Sequence, residues 1–293
     1  MKKTLLFTSL ILTLLSTLLF SSCSDSDITS PESVASEETQ IEQNVISESN
    51  VISFSVTSWT IIDSLPYTIT QPGNYKLRRD LESYGVNGIT VSNTNHVNIN
   101  LNGHSINALP SAVTEQTGIA VNNSSFVIIY EGDINNYRSA FSFVNSSDCS
   151  AKNIEYTPLN SAGDVPPHYS GVKISNSPRI QVSWSVFNTL DNAVEITGAA
   201  SIDDKFLSNT CYGNPNPSTG RPTGVKISDT LSSPQKSIIR NNLFTGFDYG
   251  YNVSSKNGNH KINSNTFEFY IEKGFNNDAT NEFKYNTYRL INP

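Results

Sequence analysis

Along this chain a short pattern returns eight times: a small residue, an apolar one, a variable one and another apolar one. The copies are Gly88-Ile89-Thr90-Val91, Gly118-Ile119-Ala120-Val121, Ala140-Phe141-Ser142-Phe143 and Gly171-Val172-Lys173-Ile174. They continue as Ala193-Val194-Glu195-Ile196, Gly224-Val225-Lys226-Ile227, Gly250-Tyr251-Asn252-Val253 and a degraded Gly274-Phe275-Asn276-Asn277. Apolar residues two apart are the signature of a short strand with one buried face. One such unit repeated at uneven intervals predicts a stack of similar coils, a solenoid rather than a globular sandwich. Helix-period runs are absent from the region of the repeats, so the expected class is all-β.

A second strand signal follows the first. In the later copies it reads apolar-x-x-Asn-x-apolar: Phe206 to Cys211, Ile239 to Phe244, Ile262 to Phe267 and Phe283 to Tyr288. Val182 to Phe187 fits with Ser185 in the Asn place. Asn tolerates a left-handed backbone and its amide bonds neighbouring backbone groups, which suits a tight bend. Stacked coils would bring Asn209, Asn242, Asn265 and Asn286 into one column. Asn153 is a further candidate, although Ile154 and Tyr156 put that coil one residue out of register. Ordinary turn punctuation explains any single Asn here, but not four aligned copies.

These residues resemble the right-handed parallel β-helix family, the pectin-lyase-like fold. The stretches Ile69 to Leu77 and His96-Val97-Asn98-Ile99-Asn100-Leu101-Asn102-Gly103-His104-Ser105-Ile106 look like the opening coils of many such bacterial proteins. The resemblance covers roughly residues 60 to 290. It implies a right-handed parallel β-helix solenoid of about eight coils, near 35–40 Å long from the spacing of strands. It also implies three strands per coil, with an Asn ladder at the turn between the second and third. The small-apolar-x-apolar segment is then the first strand. Function does not follow, because the fold carries lyases, hydrolases, adhesins and inert spacers alike.

The N-terminus carries a different signal. Met1-Lys2-Lys3 and an apolar run from Leu5 to Phe20 read as a secretory signal, too short and wrongly flanked for a stable membrane span. Leu19-Phe20-Ser21-Ser22-Cys23 looks like a bacterial lipoprotein box, with Phe20 departing from the usual Leu. That resemblance makes Cys23 the lipid-bearing first residue of the mature chain, anchored to a membrane and not spanning it. Plain secretion with cleavage near Ser22 is the alternative. From Ser24 to about Asn50 the chain is rich in Ser, Glu and Asp and lacks aromatic residues, which predicts a flexible tether. The expected organisation is a signal peptide over 1–22, the tether over 23–55 and the β-helix over 56–293.

Eight of the 26 acidic residues fall between residues 24 and 75, and two of the 19 basic ones are Lys2 and Lys3. That leaves 18 acidic against 17 basic residues in the helix region, a balance that gives nucleic-acid binding no support. Besides Cys23 the chain has Cys149 and Cys211, at different places in their repeats and awkward to bridge. Cys211 aligns with Phe187, Phe244, Phe267 and Tyr288 and is expected in the core. No Cys/His spacing of a zinc site is present.

Strand alternation points Lys173, Glu195 and Lys226 outward, as a column with coils about 4.8 Å apart. In the resembled family the polysaccharide lyases work on this outer face, under loops of the third turn. Three such loops are long here (Asn107 to Thr117, Thr157 to Tyr169, Gly213 to Pro222) and bring Asp164, His168 and Arg221 above the face. The functional reading is a groove for an acidic polysaccharide, contacted by Asp164, Lys173, Glu195 and Lys226. Weak catalytic candidates are Lys173, Glu195, Lys226, His168 and Arg221, since proton abstraction beside a sugar carboxylate needs a base and a stabilising cation. The family's calcium-dependent lyases supply a carboxylate cluster, whereas Glu195 is the one acid on this stretch, so no cofactor or metal is expected. The paired Asp and Gly-His-Gly of the family's galacturonan hydrolases are not convincingly present. Against the groove stands a surface ion-pair ladder of about 0.2–1 kcal/mol per pair.

Tyr249, Tyr251, Phe267, Phe269, Tyr270, Phe275, Tyr285 and Tyr288 crowd the last coils, where they could cap the solenoid or stack on sugars. Alternation places Tyr251, Phe267 and Tyr288 inward. The sequence reading is therefore a monomeric, lipid-anchored protein of the bacterial cell envelope that binds or is presented against polysaccharide. The alternatives are a polysaccharide lyase or glycoside hydrolase at the first-strand face, and a passive adhesin or spacer.

Overall fold

The computed structural model describes residues 58–110, 116–158, 169–213, 221–228, 236–255 and 258–291, all in the unit Phe54–Pro293. Cys23 and the tether lie outside the described residues. Among those described, every strand pairs in parallel with the equivalent strand one coil away, and no helix occurs. The protein is an all-β parallel β-helix.

The recurring small-apolar-x-apolar segments form the first face. Its strands are Tyr67–Ile69, Ile89–Ser92, Thr117–Asn122, Ser139–Val144, Ser170–Ser175, Asn192–Thr197 and Thr223–Ser228, followed by the later halves of Leu243–Ser254 and Thr266–Asn276. Seven sequence copies stack in register, and Tyr67-Thr68-Ile69 precedes them; the eighth is shifted by one residue, Gly274 pairing with Tyr251 and Phe275 with Asn252, so that Phe275 takes the outward place. One column of inward residues runs Ile89, Ile119, Phe141, Val172, Val194, Val225 and Tyr251, all buried. Apolar residues thus line the interior from end to end, and their burial is the main favourable term of the fold.

The third face explains why each copy begins with a small residue. Its inward column reads Ile106, Ile134, Tyr156, Phe187, Cys211, Phe244, Phe267 and Tyr288. Phe244 and Phe267 stack at 5.0 Å and 9°, and Phe267 and Tyr288 at 5.6 Å and 9°. A Cβ at Gly224 would stand 3.2 Å from the Phe244 ring and 2.6 Å from a backbone oxygen of the next coil; at Gly250 it would meet Phe267 at 3.0 Å. Ring and glycine therefore specify each other across the interior. Cys211 occupies the aromatic column as a buried free thiol, and Cys149 is also free and buried.

The bends are hydrogen-bonded as thoroughly as the strands. Asn209, Asn242 and Asn265 are buried and Asn286, on the last coil, is partly exposed. Asn242 Nδ2 donates to the Phe206 and Arg240 carbonyls at 2.8 and 3.0 Å and to Asn265 Oδ1 at 3.0 Å. Its Oδ1 accepts from the Asn209 backbone N–H at 2.8 Å and from Asn209 Nδ2 at 3.1 Å. Ser185 continues the ladder, donating its N–H to Asn209 Oδ1 at 3.0 Å and accepting from the Ile154 N–H at 3.2 Å.

Two expectations about this bend need correction. The left-handed backbone falls on the residue before each ladder position: Trp184, Ser208, Asn241, Ser264 and Tyr285, with φ of 50–58°. The ladder Asn is selected for its amide and not for its φ. Asn153 is in the same left-handed position (φ 54°) and exposed, so the ladder site of that coil is Ile154 and Asn153 is not a rung.

A second ladder crosses the bend between first and second faces. Ser124, Ser146, Ser177 and Ser201 are buried there, each Oγ accepting a backbone N–H from the coil before it at 3.0–3.3 Å. The left-handed residues preceding the bend are Asn93, Asn123, Asn145 and Asn176.

Buried polar residues also enter the interior beside the second face. Asp204 is fully buried, with Oδ1 accepting the Ile180 N–H at 2.8 Å, and burial pushes its carboxyl up to about 8. His260 is buried two coils further on, where burial lowers its imidazole to about 4 and the Asp278 charge opposes that shift.

Two outcomes follow from these contacts. Replacing Asn242 with Leu orphans buried backbone and amide groups on both adjoining coils, at about 1–3 kcal/mol for each group left unpaired. Urea unfolding should show a clear loss for Asn242→Leu and none for Asn252→Ala on the outer surface. The second outcome concerns pH. From about pH 4 to about 8 the folded state keeps the Asp204 proton that the unfolded chain has released, so this group makes stability fall as pH rises. From about pH 4 to 6.5 the unfolded chain protonates His260 and the folded state does not, so this group makes stability rise. Their contributions oppose one another up to about pH 6.5, and above it Asp204 acts alone. Denaturation midpoints from pH 6.5 to 8.5 should decline in the wild type and flatten in Asp204→Asn.

Candidate functional site

The outward positions of the first face form one continuous column: Thr90, Ala120, Ser142, Lys173, Glu195, Lys226, Asn252 and Phe275. Alternation places them outside because their neighbours on each side fill the core. Lys173 pairs in register with Glu195, and Glu195 with Lys226, as expected from sequence. Lys226 Nζ stands 2.7 Å from Glu195 Oε1, with both side chains partly exposed. This ion pair sets an ammonium against a carboxylate, whereas proton abstraction needs a free amine. The geometry suits a charged binding strip better than a general base.

Arg221 lies at the rim of the face. Its guanidinium sits over the Tyr249 ring, 5.5 Å from the centroid, and donates a hydrogen bond to the Tyr249 hydroxyl. Tyr249 is in register with Thr223 on one side and Glu272 on the other. Beside it opens a cavity of about 280 Å³, lined by Tyr249, Tyr251, Asn252, Glu272 and Phe275. Phe275 is 54% exposed although apolar, while Tyr251 forms the floor at 6%. Asp248 stands next to this rim; burial raises its carboxyl above the usual range, and Arg221 works against that.

The structure thus joins Lys173, Glu195, Lys226 and Arg221 to an aromatic corner. Asp164 and His168 lie outside the described residues. The aromatic end of the chain divides in two. Tyr251, Phe267 and Phe269 are buried core, while Phe275, Tyr285 and Leu290 are exposed. Tyr288 keeps the inward register of Phe267, but no described strand covers it, and it remains 36% exposed. Capping therefore accounts for only part of that aromatic cluster.

The sequence reading missed Glu272, and it named Tyr249 and Phe275 only within the aromatic cluster that could cap the solenoid or stack on sugars. Phe275 holds the second, inward place of the eighth copy as written, and only the structural register, with Phe275 on Asn252, turns it outward. Among the described residues, no three His, Cys, Asp or Glu side chains converge as metal ligands would. No protein-family model matches the chain, and no curated protein matches it in sequence.

The Glu195–Lys226 contact is partly solvated, so it should contribute little to stability. A double-mutant cycle with Glu195→Ala and Lys226→Ala should return a coupling of about 0.2–1 kcal/mol. A larger coupling, measured by thermal or urea unfolding, would make the column a structural staple.

Proposed function

We propose that this is a lipid-anchored protein of the bacterial cell envelope that binds polysaccharide along its outer first-strand face and holds the chain rather than cleaving it. The observation that carries the reading is the exposed Phe275 ring, in line with Asn252 and the Lys226–Glu195 pair and beside Tyr249 and Glu272. Aromatic faces accept the C–H side of sugar rings, and the flanking amide and charged groups meet hydroxyls and carboxylates. Its length also suits a polymer, because the column presents one side chain per coil along a straight axis. The resemblance to the right-handed, pectin-lyase-like β-helices supports the same ligand class. The lipoprotein box at Cys23 supports a membrane anchor, with an acidic tether between lipid and β-helix.

A lyase acting on the same face is the second reading, favoured by Arg221 standing over Tyr249 at the rim. Both are separated by one experiment on the full-length protein and a panel of acidic and neutral polysaccharides. Binding without unsaturated-product absorbance or new reducing ends supports the binding reading, and product formation replaces it by the lyase. Phe275→Ala should weaken binding about tenfold or more, equivalent to about 1.4 kcal/mol, with no change in the unfolding midpoint. Wild-type protein should fractionate with membranes, and Cys23→Ala should not.

A further inference from the structure

The helix region is nearly neutral overall, yet its charges are not evenly spread. On the second face of the later coils, one outward column reads Gln181, Lys205, Ile238 and Lys261 in register. The neighbouring outward column reads Ser183, Leu207, Arg240 and Asn263. Two residues before the first column, successive coils present Arg179, Asp203 and Lys236. These side chains border a concave groove of about 400 Å³, whose lining includes Arg179, Asp203, Lys205, Lys236 and Ile238. Asp148 engages Arg179 through two bonds of 2.5 and 2.7 Å, and Glu282 engages Lys284 at 3.3 Å. Among the described residues, Lys205, Lys236, Arg240 and Lys261 make no close ion pair, although the column continues past Lys261 to Glu282 in register. On the other faces Lys226 is matched by Glu195 and Arg289 by Glu268.

We propose that this second-strand groove is a separate binding site for a linear acidic polysaccharide, lying lengthwise across the coils. Three features select that ligand. Lys205 and Lys261 flank Ile238 in the same column, two coil spacings or about 10 Å apart, so positive charge recurs along the axis as it would along a polymer of charged sugars. Ile238 is half-buried between them and gives the apolar side of a sugar ring a surface to rest on. The groove is concave, which fits a chain and disfavours a flat lipid surface. Its lining holds no aromatic residue, so it lacks the stacking platform that single-stranded nucleic acid uses. Unmatched cations at a concave wall also raise the local concentration of an anionic polymer before contact.

The site is independent of the first-strand groove, and the test keeps the two apart. Full-length Cys23→Ala protein, which lacks the proposed lipid, is titrated with polygalacturonate, unsubstituted dextran, anionic phospholipid vesicles and a single-stranded oligonucleotide. Polygalacturonate should bind and dextran should not, and the binding should weaken tenfold or more between about 0.05 and 0.5 M salt as screening tightens. K205E/K261E should lose at least tenfold of this salt-sensitive binding, whereas Phe275→Ala should keep it. Lys205→Gln with Lys236→Gln, which removes charge without reversing it, should give a smaller loss in the same direction, with the unfolding midpoint of both variants checked. Wild-type affinity in both variants, equal binding of dextran, or tighter binding of vesicles or oligonucleotide than of polygalacturonate would overturn the proposal. Loss of binding in Phe275→Ala alone would overturn this site while leaving the first-strand reading intact.

Discussion

Everything in this molecule depends on one coil lying in register on the next, and the bends impose the strictest demand for that. A parallel strand finds its hydrogen-bond partners in the adjacent strand automatically. A bend turns its backbone groups away from the ladder, and when the bend is buried those groups must be met by something else. Asn209, Asn242, Asn265 and Asn286 meet them at one corner, and Ser124, Ser146, Ser177 and Ser201 at another. Each rung bonds to a neighbouring coil, and Asn242 and the four serines bond to their own coil as well. The polar side chains therefore fix the vertical order that the apolar interior, being non-directional, leaves free.

With the coils locked, the outside becomes a set of straight columns whose chemistry is chosen one residue per coil. The first face carries Lys173, Glu195, Lys226, Asn252 and Phe275 in sequence, mixing charge, amide and ring. The second face carries Lys205, Arg240 and Lys261 among neutral residues over the later coils. A domain with near-equal numbers of acids and bases thus shows two surfaces of different character, and net charge alone conceals both.

The fold was largely legible in the sequence because its two signals are periodic. Alternation at Gly171-Val172-Lys173-Ile174 and its sisters gave the first face and its outward column, and recurrence of Asn gave one bend. What escaped was carried by single positions or by ambiguous residue types. The Ser ladder hides in Asn123-Ser124, Asn145-Ser146 and Asn176-Ser177, which read as ordinary turn residues unless aligned across coils. Asn153 misled because left-handed Asn and ladder Asn are the same residue type in adjacent places. The ninth first strand, Tyr67-Thr68-Ile69, lacks the small residue, and no aromatic ring on its coil demands one. Phe275 was not read as an outward residue because aligning Gly274 with Gly250 sets it over the inward Tyr251, whereas Gly274 itself stacks on Tyr251. The cations of the second face lie far apart in the chain, and only the coil register assembles them.

The two ladders have a consequence for how such a chain can change over generations. Each coil has three corners, and two of them are spoken for by side chains that reach to the neighbouring rung. Segment 229–235 falls between a first-face and a second-face strand, whereas 111–115, 159–168 and 214–220 all fall at the third corner, between third-face and first-face strands. Length can be added there without disturbing the pitch of the stack, so new surface can be tried above the first face while the scaffold beneath stays the same. Most of this added length lies away from the corners that hold the coils together, and that bias lets a repetitive frame acquire individual recognition.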